Sequence, residues 1–280
     1  MQKIILVLLL FLLSNSLVYS QNKKTEKILN EGKLLFRIEK GSWYGTDDML
    51  ARFKTKKDSV GGYLSYETAE HKINTIFFSR FDSDKILIRY EFDSIPKPEP
   101  IEIDTLNSKA TALEKSLISI RQDAKDKAYS NNKDKFFRFY KNTSLNFIPV
   151  INDTERNVFV LTGTQVSEIV IIGNDYKLTY DKKNKFKKKE KIHNSILQFQ
   201  YTSKDKDNPT VSTFHSHVIT EYISSTDICT LLLYKNYVEW NQHIVLSEKE
   251  VSIFDLEKES LFTMKRKAWE KINNIGKDKK

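Results

Sequence analysis

The chain has little of several things. It has one cysteine in 280 residues, Cys229, so no intramolecular disulfide can form. Cys229 lies among Ile228, Leu231 and Leu232, which reads as a small buried apolar residue and not as a nucleophile. Beyond the N-terminus no apolar stretch is long enough to span a bilayer. Prolines number five, and three of them fall in Ser94–Pro100, the best candidate linker or edge segment because alternating proline favours an extended chain without amide donors. No internal repeat is visible. Hydrophobic residues at 39% and charged residues at 30% describe a globular chain and not a disordered one.

The N-terminus carries Lys3 and then the unbroken apolar run Ile4–Leu13, the length of a signal h-region. Val18 and Ser20 suit cleavage before Gln21, and no cysteine follows the run, which argues against a lipoprotein. A cleaved signal peptide over 1–20 and a secreted or periplasmic location are expected, with no membrane span left after cleavage.

Positive charge exceeds negative, with a net +9, and much of the excess is local. Lys182–Lys191 (KKNKFKKKEK) carries seven lysines and reads as a solvated hairpin tip. The run has one Phe and no arginine, so nucleic acid is not an expected partner.

Short Ile-, Phe- and Tyr-rich runs predict strands at Leu34–Ile38, Gly62–Tyr66, Lys72–Phe78 and Lys85–Phe92. The stretch Gly41–Asp47 (GSWYGTD) reads as a loop or packing corner. Ser108–Tyr129 is the clearest helix, with Leu113, Leu117, Ile120, Ala124 and Ala128 on one face and a capping box formed by Thr111 and Glu114. A short helical patch is expected at Phe136–Tyr140. Strands follow at Val158–Leu161, Glu168–Ile172, Lys177–Tyr180, Ile192–Tyr201 and Val211–Val218. A helix over Ser225–Lys235, strands over His243–Ser247 and Val251–Leu256, and an amphipathic helix over Met264–Ile275 complete the chain.

The stretch most informative about function is Thr213–Asp227, TFHSHVITEYISSTD. On a strand, His215 and His217 point to one face while Phe214 and Val218 point to the other. Two such imidazoles can reach one ion. Asp227, in the first turn of the next helix, supplies a third ligand. Two His, one carboxylate and an open water position make up a catalytic zinc site. Ser224-x-x-Asp227 is also a capping box, and the two roles are compatible. His193 and His243 belong near the same sheet, as hydrogen-bonded core residues or as further ligands or supports.

His-Ser-His, a short connector and Ser-x-x-Asp resemble the JAMM (MPN-plus) zinc metalloprotease signature. The connector has six residues where the family usually has seven. The resemblance implies an α+β or mixed α/β fold with a JAMM-like, cytidine-deaminase-like three-layer core. That core would occupy 106–280, behind a β-rich region over 21–105. It implies Zn2+ held by His215, His217 and Asp227, with Ser224 aiding the oxyanion. An upstream Glu would be the general base. Glu155 is the candidate, one place out of register, and Glu168 and Glu190 are weaker substitutes. The implied activity is a zinc-dependent peptidase or isopeptidase acting on polypeptide or peptide-containing substrates outside the cytoplasm. Two rivals stand beside it: a secreted metal-binding pseudo-enzyme, and a non-enzymatic β-rich binding protein using its basic hairpin.

Overall fold

A computed structural model describes residues 2–203, 205–207 and 209–275, with side chains described between residues 23 and 273. The apolar leader read from the sequence therefore lies outside the described side chains. No helix among the described residues is long and apolar enough to cross a membrane.

The chain is β-rich. Helix α1 (Gln2–Arg52) leads into strands β1 (Val60–Glu67), β2 (Ile73–Ser79), β3 (Ile86–Phe92) and β4 (Glu102–Asp104). Helix α2 (Ala112–Tyr129) follows, then β5 (Thr143–Ile151), β6 (Arg156–Thr164), β7 (Ile169–Gly173), β8 (Tyr176–Tyr180), β9 (Phe186–Lys191) and β10 (Ile196–Gln200). The last part is β11 (Ser212–Ser216), α3 (Ser225–Tyr234), β12 (Gln242–Leu246), β13 (Glu250–Asp255), β14 (Ser260–Lys265) and α4 (Arg266–Ile275).

These strands form four sheets, ordered β1-β2-β3-β4, β5-β6-β8-β9, β10-β7 and β11-β12-β13-β14. This overturns the expected three-layer α/β core. Such a core covers one continuous sheet with crossover helices. Here hairpin neighbours pair with one another, and nearly every ladder is antiparallel. Among the described residues, only β11 and β12 pair in parallel, joined through α3. Ser94–Pro100 runs between β3 and β4, which then pair with each other.

Three local expectations fail. Leu34–Ile38 is no strand and Gly41–Asp47 is no loop; both lie within α1. Leu35, Ile38, Ser42 and Met49 are buried on its inner face, a helical spacing. The glycines that suggest turns permit close approach instead. A Cβ on Gly41 would lie 2.6 Å from Ile73 Cγ2, and one on Gly45 would lie 2.9 Å from Thr75 Cγ2. Phe136–Tyr140 is not helical, and Phe136 and Phe137 pack against Tyr176. The predicted capping box does form at α2, where Thr111 accepts from Glu114 N and Glu114 accepts from Thr111 N. The lysine run is only partly a hairpin tip, since Phe186–Lys191 is the edge strand β9. Lysines on an edge discourage pairing with another chain.

The largest core joins both halves of the chain. Leu35, Phe77, Ile88 and Phe92 pack with Ile148, Phe159, Cys229 and Leu233. A second core brings α3 (Ile228, Leu231, Leu232) against Val170, Ile172, Val245 and Phe254. Cys229 is fully buried, as expected of an inert packing residue.

Candidate metal centre

The strand β11 alternates as its sequence demands, with Phe214 exposed and His215 buried. His217 lies just past the strand end, where its amide donates to Leu246 O at 2.8 Å. Helix α3 begins beside it. Ser224 caps the helix by accepting from Asp227 N at 3.0 Å, and Asp227 Oδ2 accepts from Ser224 N at 2.9 Å. Position in the first turn favours the Asp227 carboxylate through the helix dipole. Helix α1 braces this start, since Ser225 Oγ donates to Glu31 at 2.6 Å.

A fourth residue arrives from another sheet. After β9 the chain is held to the β7–β8 turn. Ile192 N donates to Asp175 O at 2.8 Å, and Asn174 N donates to Ser195 O at 2.9 Å. Gly173 makes this possible: its φ is +104°, and a Cβ there would lie 2.2 Å from Ser195 O. The turn delivers His193 to the cluster.

His193, His215, His217 and Asp227 are all buried, and their ligand atoms lie within 4.8 Å of one another. His193 Nε2 is 2.9 Å from His217 Nε2 and 3.1 Å from Asp227 Oδ1. Asp227 Oδ2 is 3.2 Å from His217 Nε2 and 3.9 Å from His215 Nε2. Four ligands ~2.0–2.1 Å from a tetrahedral ion stand ~3.3 Å apart, and these separations bracket that value.

The tautomers follow from the partners behind each ring. His217 Nδ1 faces Tyr222 O at 2.8 Å and therefore carries its hydrogen. His193 Nδ1 lies 3.3 Å from the Asp175 carboxylate. His215 Nδ1 meets His243 Nε2 at 2.7 Å, and His243 Nδ1 meets Thr213 Oγ1 at 2.7 Å. With Nδ1–H directed outward, each ligand ring in its neutral form can turn an Nε2 lone pair inward to an ion. Support of this kind orients metal-binding imidazoles. His215 Nε2 is buried without a hydrogen bond, which costs about 1–3 kcal/mol unless a cation meets it, and Asp227 Oδ1 has His193 Nε2 beside it at 3.1 Å.

The charges agree. Asp175 and Asp227 are both buried, so neutral histidines leave two formal negative charges, which one divalent cation cancels. Without it, burial resists charge on His193, but the carboxylates of Asp227 and Asp175 outweigh burial and hold its pKa up at about 10. Burial also resists charge on Asp227, yet His193 and His217 hold its carboxyl well below the usual range. Burial pushes His215 down to about 4 and His243 to about 3, which keeps both neutral. The four residues thus form a group able to hold a metal ion.

Beside the cluster a cavity of about 60 Å³ is lined by His193, His215, His217, Gly173, Val218 and Ile219. At about 30 Å³ per water it has room for one or two.

The structure therefore brings together His215, His217 and Asp227, and places Ser224 three residues away as the helix cap. It does not bring Glu155 to them. That side chain pairs with Lys27 at 3.1 Å and Lys177 at 3.5 Å, and accepts from Asn157. Glu168 is exposed, and Glu190 pairs with Lys188 on the edge strand. His193 and its partner Asp175 complete the cluster. The sequence marks His193 as a core residue or a further ligand or support, and it is a candidate ligand here; Asp175 has no sequence signal. No protein-family model, curated protein or solved structure matches the chain.

Proposed function

We propose that this protein is a zinc-binding protein whose ion is held by His193, His215, His217 and Asp227. The observation that carries the reading is the convergence of three buried histidine Nε2 atoms and one buried carboxylate, with their ligand atoms all within 4.8 Å of one another. Imidazole nitrogens suit zinc, copper, iron and nickel, and a carboxylate oxygen is an accepted zinc ligand. Zinc imposes no geometry of its own, which fits an irregular four-ligand set. The test is metal analysis of the purified protein beside His217→Ala. One equivalent of zinc in the first and none in the second supports the assignment. Absence of metal from both, after exposure to zinc, removes it.

A second reading is zinc-dependent hydrolysis of a peptide or isopeptide bond outside the cytoplasm. The small cavity against the ligand histidines favours it, because substrate and water need access. Zinc would supply Lewis-acid polarisation of a carbonyl and a lowered pKa for bound water. Of this chain's own groups, Glu155 is engaged by two lysines and Ser224 by the helix start, which leaves the proton-transfer role unfilled by the sequence candidates. Metal-dependent cleavage of a peptide library, lost in His217→Ala and retained in Glu155→Gln, distinguishes this reading from ion binding alone.

A further inference from the structure

A second site lies on a different face of α3. A cavity of about 750 Å³ sits between α1, α2, the β5–β6 hairpin and α3. Aromatic rings wall it: Trp43, Tyr63, Tyr129 and Tyr234. Two buried groups of opposite charge also line it. Arg121 on α2 is 8% exposed, and Glu39 on α1 is 5% exposed.

Neither group is satisfied by the other. No ion pair within 4.0 Å joins them, and each has one protein hydrogen-bond partner. Arg121 donates through Nε to Phe147 O at 3.2 Å. Glu39 accepts from Asn146 through one oxygen. The two terminal guanidinium nitrogens and the other carboxylate oxygen make no hydrogen bond to the protein. These atoms open onto the cavity, where the guanidinium also lies 5.8 Å from the Tyr63 ring centroid, and are therefore available to a ligand. Apolar walls with a few converging polar groups are the usual make-up of a small-molecule site.

We propose that this cavity binds a small zwitterion with an aromatic or similarly sized apolar body. Its carboxylate pairs with the Arg121 guanidinium, which is shaped for bidentate contact. Its ammonium pairs with Glu39. The ring packs among Trp43, Tyr63 and Tyr234. Free aromatic amino acids are the simplest members of this class. The proposal is independent of the metal centre.

Titration calorimetry with L-phenylalanine at about pH 8, above the value of about 7 to which burial raises Glu39, tests it, beside 3-phenylpropionate, which lacks the ammonium, and phenethylamine, which lacks the carboxylate. Phenylalanine is expected to bind at one site, at least about tenfold more tightly than either one-headed analogue, since a hydrogen-bonded charge contributes a factor of that size or more. Arg121→Met and Glu39→Gln are each expected to weaken it by a similar factor. Gly163→Leu provides a variant that leaves both charges in place. Gly163 lines the cavity, and a Cβ there meets nothing nearer than Ser144 Oγ at 3.7 Å, so the added side chain obstructs the space without disturbing the sheet. Loss of binding in Gly163→Leu, with the melting temperature unchanged, supports the site even where Arg121→Met fails to fold. No heat with phenylalanine at millimolar concentration, equal binding of a one-headed analogue, or binding unaffected by Gly163→Leu overturns the proposal.

Discussion

Zinc bound by this cluster must stabilise the fold, and the size of the effect follows from the site. The ligands come from three separate places in the chain: the turn after β9, the end of β11 and the start of α3. An unfolded chain cannot hold them together, so binding free energy becomes folding free energy. At a thousandfold excess of free zinc over its dissociation constant the gain is ~4 kcal/mol. For a chain of this size, each kcal/mol moves the melting temperature by ~2–4 °C. Differential scanning fluorimetry should therefore show a rise of ~8–16 °C when zinc is added to protein stripped with a chelator. His217→Ala removes one of four ligands and should abolish most of that rise. The apo cluster is held by a proton on His193, whose pKa stands at about 10 because Asp227 and Asp175 outweigh burial. That ion pair stabilises the apo fold fully below about 6.5 and is lost as pH rises through about 10. Zinc must displace the proton, so calorimetry in two buffers at pH 7 should show ~1 proton released per ion. No shift at saturating zinc, or an equal shift in His217→Ala, would refute the assignment of these ligands.

Three further outcomes are expected. Burial raises Glu39 to about 7, against an ordinary 4.5, although Arg121 and Asn146 pull the other way. The folded state holds that proton more tightly, so stability should fall by about 3 kcal/mol as pH rises from about 4.5 through 7. Denaturant titrations across that range check this, and Glu39→Gln should flatten the slope. Glu114 is fully buried and accepts from Arg89 at 2.8 Å, from Tyr66 and from the Thr111 amide. Glu114→Ala should cost ~1–3 kcal/mol in urea unfolding, because it removes the acceptor shared by Arg89, Tyr66 and the Thr111 amide, while Arg89 keeps Asp104 at 3.5 Å. Gly32→Ala should cost ~1–3 kcal/mol and lower the melting temperature, since its Cβ would sit 2.6 Å from Ile228 Cβ where α1 meets α3.

Local spacing made part of this protein legible without a structure. His215, His217 and Asp227 stand within thirteen residues, and the two-residue period of a strand followed by a capping box is enough to aim them at a common point. The same holds for α2, whose apolar period and Thr111–Glu114 box are complete within the segment. Tertiary structure decided the rest. His193 joins the cluster only because Gly173 and Asp175 hold a turn from another sheet against β11, a pairing that no local period records. Glu155 has a suitable side chain, but the packing of α1 sets Lys27 against it, far from the role its letters suggested. Helix α1 was hidden for a related reason. Gly41 and Gly45 look like turn residues in isolation, yet they are needed where a helix presses against Ile73 and Thr75. The sequence specified which side chains share a face. Which faces meet depended on contacts between distant segments, and that decided both the division into four sheets and the completed ligand set.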